Sequence, residues 1–308
     1  MIVVFGSINL DLIGKVGRIP RPGETVAGSE FSTAAGGKGA NQALAARRAG
    51  ARVRMIGAAS QNGMGEEALA LLTEGGVDLA DVRRLDMAQG VAMIFVDTAG
   101  ENVIGILPGA NGEVSIEDAE RTLASLAPGD VLVVQQEVAP GSTIRALSMA
   151  RERGAASILN TAPFLPTTRE AAKRADIVVA NETEFALLMG GEGELDAQMA
   201  DYVAATGRTI IVTLGGEGAR ARRGDTMIRV PALKVTPIDT VGAGDTFVGY
   251  LAAGLEAGLD LEAAMRRAAA AASLACLKPG AQPAIPLAAE VEAALQGQAG
   301  SARSSGSR

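Results

Sequence analysis

The sequence predicts a three-layer α/β/α sandwich around a mostly parallel central sheet, with a small second sheet standing off it as a lid. Three observations carry this expectation. Short apolar, β-branched runs alternate with amphipathic segments rich in Ala, Leu, Arg and Glu, the pattern of parallel strands covered by helices on both faces. Hydrophobic residues make up 48% of the 308 positions, ample for a large core. Two stretches, 25–33 and the pair 91–97 and 102–107, have no helix between or beside them and stand outside the alternation. One unit is expected over 1–296, with lid strands inserted at about 11–33 and 90–109 and an unstructured tail at 297–308.

The elements follow in order. The first strand is read at 2–6, where Ile2, Val3, Val4 and Phe5 lead into Gly6; with no charged residues ahead of it, this run reads as a buried strand, not a signal peptide. Helices are expected near 39–48 and 65–74, on either side of a strand at 53–57. The lid strands 91–97 and 102–107 are joined by Thr98-Ala-Gly-Glu101, a hairpin-like connection. Strands at 131–135, 156–160, 177–180 and 209–214 then accompany helices near 116–126, 142–153 and 194–205. After 229–235 the chain turns helical, from Gly242 to about 255, over 261–277, and in a last helix ending near 295. The stretch 297–308 is rich in Gly, Ser and Arg, too polar to bury a face.

Absences narrow the chemistry. There is no His, which excludes a Ser-His-Asp triad, an imidazole base and a His-ligated metal. The single Cys276 excludes an intramolecular disulfide and a thiolate zinc site, and suits a reducing cytoplasm, the expected location. Proton transfer is left to carboxylate, Lys or Tyr chemistry. The net charge of −7 argues against a nucleic-acid partner, and no uninterrupted apolar run reaches membrane-spanning length.

Two glycine-rich segments depart from the common nucleotide fingerprints. Lys38 is followed by Gly39, not Ser or Thr, so Ala35-Gly-Gly-Lys-Gly39 is no Walker A loop; Phe247 stands where a dinucleotide motif after Gly242 and Gly244 needs its third small residue. Physically, Gly242, Ala243 and Gly244 open a helix and expose its unpaired amides, an anion site. Asp245 falls in the first turn beside it, and its spacing fits two roles, a helix cap or a base next to developing negative charge. Gly36-Gly-Lys-Gly-Ala-Asn-Gln42 has the same build, and Lys38 and Asn41 share a helix face; a tight turn with a solvated lysine is the other reading. Asn181-Glu-Thr-Glu184 follows a strand, either as an N-cap with an acidic first turn or as a phosphate and magnesium contact through Asn181 and Glu184. Thr213-Leu-Gly-Gly-Glu-Gly218 offers amides or a β-turn, Gln135-Gln-Glu137 ends a strand, and Asn9 and Asp11 make the mouth of the first strand polar. Five polar clusters thus fall at strand ends of one sheet, where ligands of open α/β sheets bind.

On these segments the chain resembles the ribokinase family, the PfkB-type sugar and nucleoside kinases. The resemblance runs from about Val3 to about Pro286. It includes Gly6-Ser-Ile-Asn9 with Asp11, Pro22-Gly-Glu-Thr-Val26, Gly36–Gln42, Glu101-Asn-Val-Ile-Gly-Ile106 with Gly109-Ala-Asn111, Asp239–Phe247 and Gly280-Ala-Gln-Pro283. It implies a ribokinase-like sandwich, ATP as donor with magnesium, an activating potassium ion, and a homodimer formed through the lid. The implied reaction is phosphorylation of D-ribose at O5; deoxyribose, fructose, another sugar or a nucleoside is the alternative acceptor, and a non-catalytic sugar-binding regulator the alternative class. With no Trp in the chain, a sugar would be held by hydrogen bonds and not by stacking on indole.

Residue by residue, the resemblance assigns the sugar hydroxyls to Asn9, Asp11, Gly37, Lys38, Asn41 and Glu137, and the O5 proton to Asp245. Gly242, Ala243 and Gly244 would form the anion hole. Asn181, Thr213, Leu214, Gly215, Gly216, Glu217, Gly218, Gly244 and Ala269 would line the nucleotide, with Glu184 near magnesium through water. Asp239, Val241, Ala275, Lys278, Gly280 and Ala284 match the potassium site. Two positions depart from the family pattern: Ala284 stands where Ser is typical, and Ala269 where Asn or His often faces the nucleotide. Ala92 and Ile94 on a lid strand are candidate selectors of the acceptor.

Overall fold

Strand alternation decides the layering. In β1 (Ile2–Phe5) all four side chains are fully buried, Ile2 and Val4 in one apolar cluster and Val3 and Phe5 in another, as a period of two requires of a strand covered on both faces. The computed structural model describes residues 1–305. After β1 come β2 (Asn9–Val16), β3 (Gly28–Gly36), α1 (Lys38–Arg48), β4 (Val53–Ser60), α2 (Gly63–Glu74), β5 (Asp78–Leu85), β6 (Gly90–Val96) and β7 (Asn102–Leu107). The middle of the chain forms α3 (Ile116–Thr122), β8 (Val131–Val134), α4 (Pro140–Arg153), β9 (Ala156–Asn160), α5 (Thr168–Ala172), β10 (Ile177–Asn181), α6 (Glu182–Met189) and α7 (Leu195–Thr206). It ends with β11 (Thr209–Thr213), β12 (Ala219–Arg223), β13 (Thr226–Val230), α8 (Ala243–Glu256), α9 (Leu261–Ala275) and α10 (Ala288–Ser305).

The main sheet has the order β13-β12-β11-β10-β9-β8-β1-β4-β5 among the described residues. Its pairs are parallel except β11 with β12 and β12 with β13. Residues of α1, α2, α8 and α9 fill the cluster on one face, and residues of α3, α4, α6 and α7 the cluster on the other. β1 pairs with β4 on one side and β8 on the other, so the strand order reverses there and a crevice opens beyond the strand ends.

The lid is a separate sheet of order β3-β2-β6-β7, with β2 and β6 parallel and the outer pairs antiparallel. Its register places Ala34, Asp11, Ala92 and Ile106 side by side across all four strands, and Ser32, Ile13, Ile94 and Ile104 two residues on. These eight residues therefore share one face, and the candidate selectors Ala92 and Ile94 lie beside Asp11 on it.

Several elements differ from the sequence expectation. The strand expected at 25–33 is Gly28–Gly36; its partner Asn9–Val16 falls within the lid insertion expected from about 11, and Asn9 and Asp11, read as the polar mouth of the first strand, belong to it. β5, β12 and β13 were not foreseen; β12 alternates buried Ala219 and Ala221 with arginines, a faint apolar signal suited to a sheet margin. The short helices α5 and α6 were not assigned either. The helix expected over 116–126 ends at Thr122, with one 3₁₀ turn, Leu123–Ser125, after it. The last helix does not stop near 295: the stretch from 297, expected to be unstructured, continues α10 to Ser305, because extending a formed helix is far easier than nucleating one. Residues 306–308 lie outside the described residues.

Candidate active site

Asp245 lies in the first turn of α8, only 8% exposed. Gly242 holds the N-cap position at φ 75° and ψ 0°, with no side chain capping the helix. The Asp245 carboxylate instead reaches across to α1: its Oδ2 accepts from Asn41 Nδ2 at 2.9 Å and its Oδ1 from Gln42 Nε2 at 2.8 Å. The capping role is not adopted. The helices can approach this closely because Gly249 of α8 lacks a side chain; a Cβ there would sit 2.5 Å from Ala45 Cβ and 2.6 Å from Gln42 O.

The start of α1 crosses the end of β1 by a similar device. Gly37 has φ 89°, and a Cβ on it would lie 2.6 Å from Asn9 N; on Gly39 it would lie 2.6 Å from Ser7 N. This approach lets Glu137, beyond β8, bridge both segments: its Oε2 accepts from Ser7 Oγ at 2.6 Å and from Lys38 N at 3.1 Å. Asn9 is fixed by Asn111, whose Nδ2 donates to Asn9 Oδ1 at 2.7 Å. Asn41 Oδ1 is buried with no hydrogen-bond partner among the described residues.

The charges of this cluster are mutually felt. Burial foremost, then the carboxylates of Glu137 and Asp245, push Asp11 up to about 7 against the relief from Lys38. Burial works against the Lys38 ammonium, yet Asp245, Glu137, Glu184 and Asp11 together hold its pKa above the ordinary value. Asn9, Asp11, Gly37, Lys38, Asn41, Glu137 and Asp245, the residues expected to grip and activate a sugar, are thus brought to one place.

On the other side of α8's first turn lies a cavity of about 650 Å³. Of the expected nucleotide residues, Asn181, Thr213, Gly215, Gly216, Gly218, Gly244 and Ala269 line it, and so does Ala243; Leu214 and Glu217 do not. Their 3₁₀ turn, Gly215–Glu217 after Leu214, exposes glycine backbone to the cavity instead. The sequence reading missed the far wall, formed by Leu233, Val235 and Pro237 with Phe247, Ala272 and Cys276; the segment after β13 has no periodicity to reveal it. Gly244 and Asp245 amides have no partner among the described residues, as the first turn of a helix requires.

Asn181 and Glu184 realise the capping alternative, and Asn181 still lines the cavity. Asn181 Oδ1 accepts from Glu184 N at 2.8 Å, and Glu184 Oε2 accepts from Asn181 N at 3.2 Å and Thr161 Oγ1 at 2.7 Å. No group of three or more acidic or thiol side chains suited to a metal occurs among the described residues. Glu184 alone fits a magnesium ion that keeps its water and takes its other ligands from phosphates.

Of the expected cation site, the structure joins Asp239 and Gly280. Asp239 Oδ1 accepts from Val241 N at 3.0 Å and its Oδ2 from Gly280 N at 2.8 Å. Ala275 and Ala284 are buried and could offer only backbone oxygens, while the Lys278 ammonium turns away to Glu290 at 3.4 Å. An oxygen donor set of one carboxylate and carbonyls fits a hard monovalent cation. This loop packs directly on the anion-site glycine: a Cβ on Gly242 would lie 2.9 Å from Ala281 Cα.

Three side chains at the centre carried no role in the sequence reading: Gln42, Gln135 and Asn160, which form a buried amide chain behind Asp245. Gln42 and Gln135 stood inside quoted motifs, but nothing in spacing marks which amide meets a carboxylate 203 residues away.

The profile of the pfkB family carbohydrate kinases matches residues 1–288. A ribokinase of Bacillus subtilis (strain 168) is 34% identical over 294 residues, covering 96% of this chain and 99% of the relative. A deoxyribokinase of Salmonella typhi is 33% identical over 295 residues, covering 92% and 95%. Among solved structures, Arabidopsis thaliana ribokinase complexed with ribose and ATP matches with a TM-score of 0.86 at 30% identity, covering 96% of this chain and 98% of that one.

Proposed function

The chain belongs to the pfkB family of carbohydrate kinases, and from that premise we propose that it transfers the γ-phosphoryl group of ATP to O5 of D-ribose. One observation carries the reading. Asp245 stands at the junction of two sites, with Asp11, Lys38, Asn41 and Glu137 around its carboxylate and the cavity lined by Ala243 and Gly244 beginning one residue before it. A ribokinase relative, and a ribokinase whose structure holds ribose and ATP, support the choice of acceptor and donor.

In this mechanism the sugar hydroxyls take the hydrogen-bonding capacity of Asn9, Asp11, Lys38, Asn41 and Glu137. Asp245 accepts the O5 proton as O5 bonds to the γ-phosphorus and the bond to the β-phosphate oxygen breaks, releasing ADP. The free amides at the start of α8, aided by the helix dipole, stabilise the charge on the transferring group. Magnesium, when bound beside Glu184, would neutralise phosphate charge; potassium beside Asp239 and Gly280 would steady the loop under Gly242. The lid excludes water by covering the acceptor.

The lid also exposes Phe31, Val103, Ile104 and Ile106, at 69%, 46%, 51% and 45%, and leaves β3 and β7 as free edges. By register Phe31 and Val103 share one face and Ile104 and Ile106 the other, and a second copy of the chain covering one of these faces and its edge is the occupant we favour.

The deoxyribokinase relative, 33% identical, makes 2-deoxyribose the second acceptor to test. ADP release should be measured with ribose, 2-deoxyribose, fructose and a nucleoside, each with potassium and with sodium. Ribose is expected to give the highest kcat/KM, and potassium to raise kcat. A tenfold or greater preference for another acceptor would replace ribose in this reading.

A further inference from the structure

The amide chain behind Asp245 is fully directional. Gln42 Nε2 donates to Asp245 Oδ1 at 2.8 Å and to Asn160 Oδ1 at 3.1 Å, while Gln42 Oε1 accepts from Gln135 Nε2 at 2.6 Å. Asn160 Nδ2 donates to Val179 O at 3.3 Å, so the oxygen of Asn160 is the atom that faces Gln42. Both hydrogens of the Gln42 amide and its carbonyl are therefore used. Turning that amide over would set its oxygen against a carboxylate and against the Asn160 oxygen, and its NH₂ against the NH₂ of Gln135. Only one orientation satisfies all partners.

This arrangement is expensive to bury. Gln42 and Gln135 are both 0% exposed, and amides removed from water destabilise a fold unless bonded. Gln135 Oε1 has no partner at all, and Gly6 must lack a side chain to make room for it, since a Cβ there would lie 1.9 Å from that oxygen. Apolar side chains of the same length would fill α1 and the end of β8 without this burden.

We propose that Gln42, braced by Gln135 and Asn160, is a positioning residue for phosphoryl transfer: it holds the Asp245 carboxylate in a single orientation for the acceptor hydroxyl. A hydrogen bond donated to a carboxylate favours its charged form, and a base fixed before the substrate arrives needs no reorganisation during reaction. The inference rests on the kinase reading above, with Asp245 as base.

The test compares Gln42→Met, Gln42→Glu and Gln135→Met with the parent enzyme. Gln42→Met keeps the length and removes the donor; kcat should fall by about 10- to 100-fold, with the KM for sugar within about threefold, and the acid limb of kcat should move up. Gln42→Glu sets two carboxyl groups together, so its acid limb should move further up. Gln135→Met frees the Gln42 amide and should shift the same limb by less. A lowered melting temperature with kcat and acid limb unchanged would mean packing only and overturn the proposal. A second measurement is independent of turnover: in protein labelled with ¹⁵N-glutamine, one side-chain amide, identified by its loss in Gln42→Met, should titrate with pH and cease to do so in Asp245→Asn. Absence of such a titrating amide overturns the proposal even if a variant fails to fold. A parent enzyme that phosphorylates no sugar, yet shows the titrating amide, counts against the kinase reading and not against the positioning role.

Discussion

Asp245 receives one hydrogen bond on each carboxylate oxygen, from Asn41 and from Gln42, and accepts none from its own helix. Replacing it by Asn keeps the shape but puts an NH₂ where an acceptor is needed. Asp245→Asn should lower kcat by at least ~10²-fold with little change in KM; near-normal kcat would remove Asp245 as the base. Asp11 makes a separate, pH-dependent prediction. Its carboxyl is raised from 3.8 to about 7, by burial first and by Glu137 and Asp245 next. The folded protein therefore holds this proton more tightly than the unfolded chain. The contribution is fully present below about 3.8 and is lost as pH rises to about 7, at a slope of up to ~1.4 kcal/mol per pH unit. Asp11→Asn should match the parent in thermal melts near pH 4 and exceed it at pH 8. Equal pH dependence of the two proteins would show that Asp11 ionises normally.

At the scale of elements, the site depends on how closely α1 and α8 pack. The contact of Gly249 with Ala45 and Gln42 sets the distance over which Asp245 meets both amides. Gly249→Ala adds one methyl where the nearest atoms lie at 2.5 to 2.8 Å, so the helices must part. Overpacking of this kind costs about 1–3 kcal/mol, and here it should also lower kcat, because the carboxylate moves from its donors. Denaturant melts and kcat on the same preparation check both; a stable variant with full kcat would show that the two helices tolerate a wider gap. The element scale also separates what was legible from what was not. β1, β4 and β8–β11 and the five helices first read were visible through apolar periodicity. β5, β12 and β13 were hidden by their arginines and aspartates, and the start of β2 because its polar residues, Asn9 and Asp11, belong to the site.

At the scale of the molecule, the lid presents more apolar surface than a free sheet retains in water. Light scattering at micromolar concentration should give twice the 31.1 kDa of one chain. Ile104 and Phe31 point to opposite faces of the lid by register. At least one of Ile104→Glu and Phe31→Glu should therefore yield a monomer and identify the covered face. A monomeric parent, or two dimeric variants, would reject dimerisation through the lid. The lid face that carries Asp11, Ala92 and Ile106 also makes acceptor choice a property of the whole fold.

By itself the sequence determined the layered architecture, the strand ends at which ligands would meet, and a proton chemistry left to carboxylate, Lys or Tyr by the lack of His. These are local properties: a period of two or 3.6 and the presence of a functional group can be read along a chain. It left Asp245 open between cap and base, and Asn181 with Glu184 open between cap and ligand contact. The tertiary structure removed the cap reading for Asp245 and realised it for Asn181 and Glu184. It drew Asp245 away from its own helix to Asn41, 204 residues distant, and closed Asn181 and Glu184 into a capping box beside the cavity. The physical reason is that a side chain near a helix start bonds whichever donors packing brings to it, and such long-range partners leave no periodic trace in the sequence.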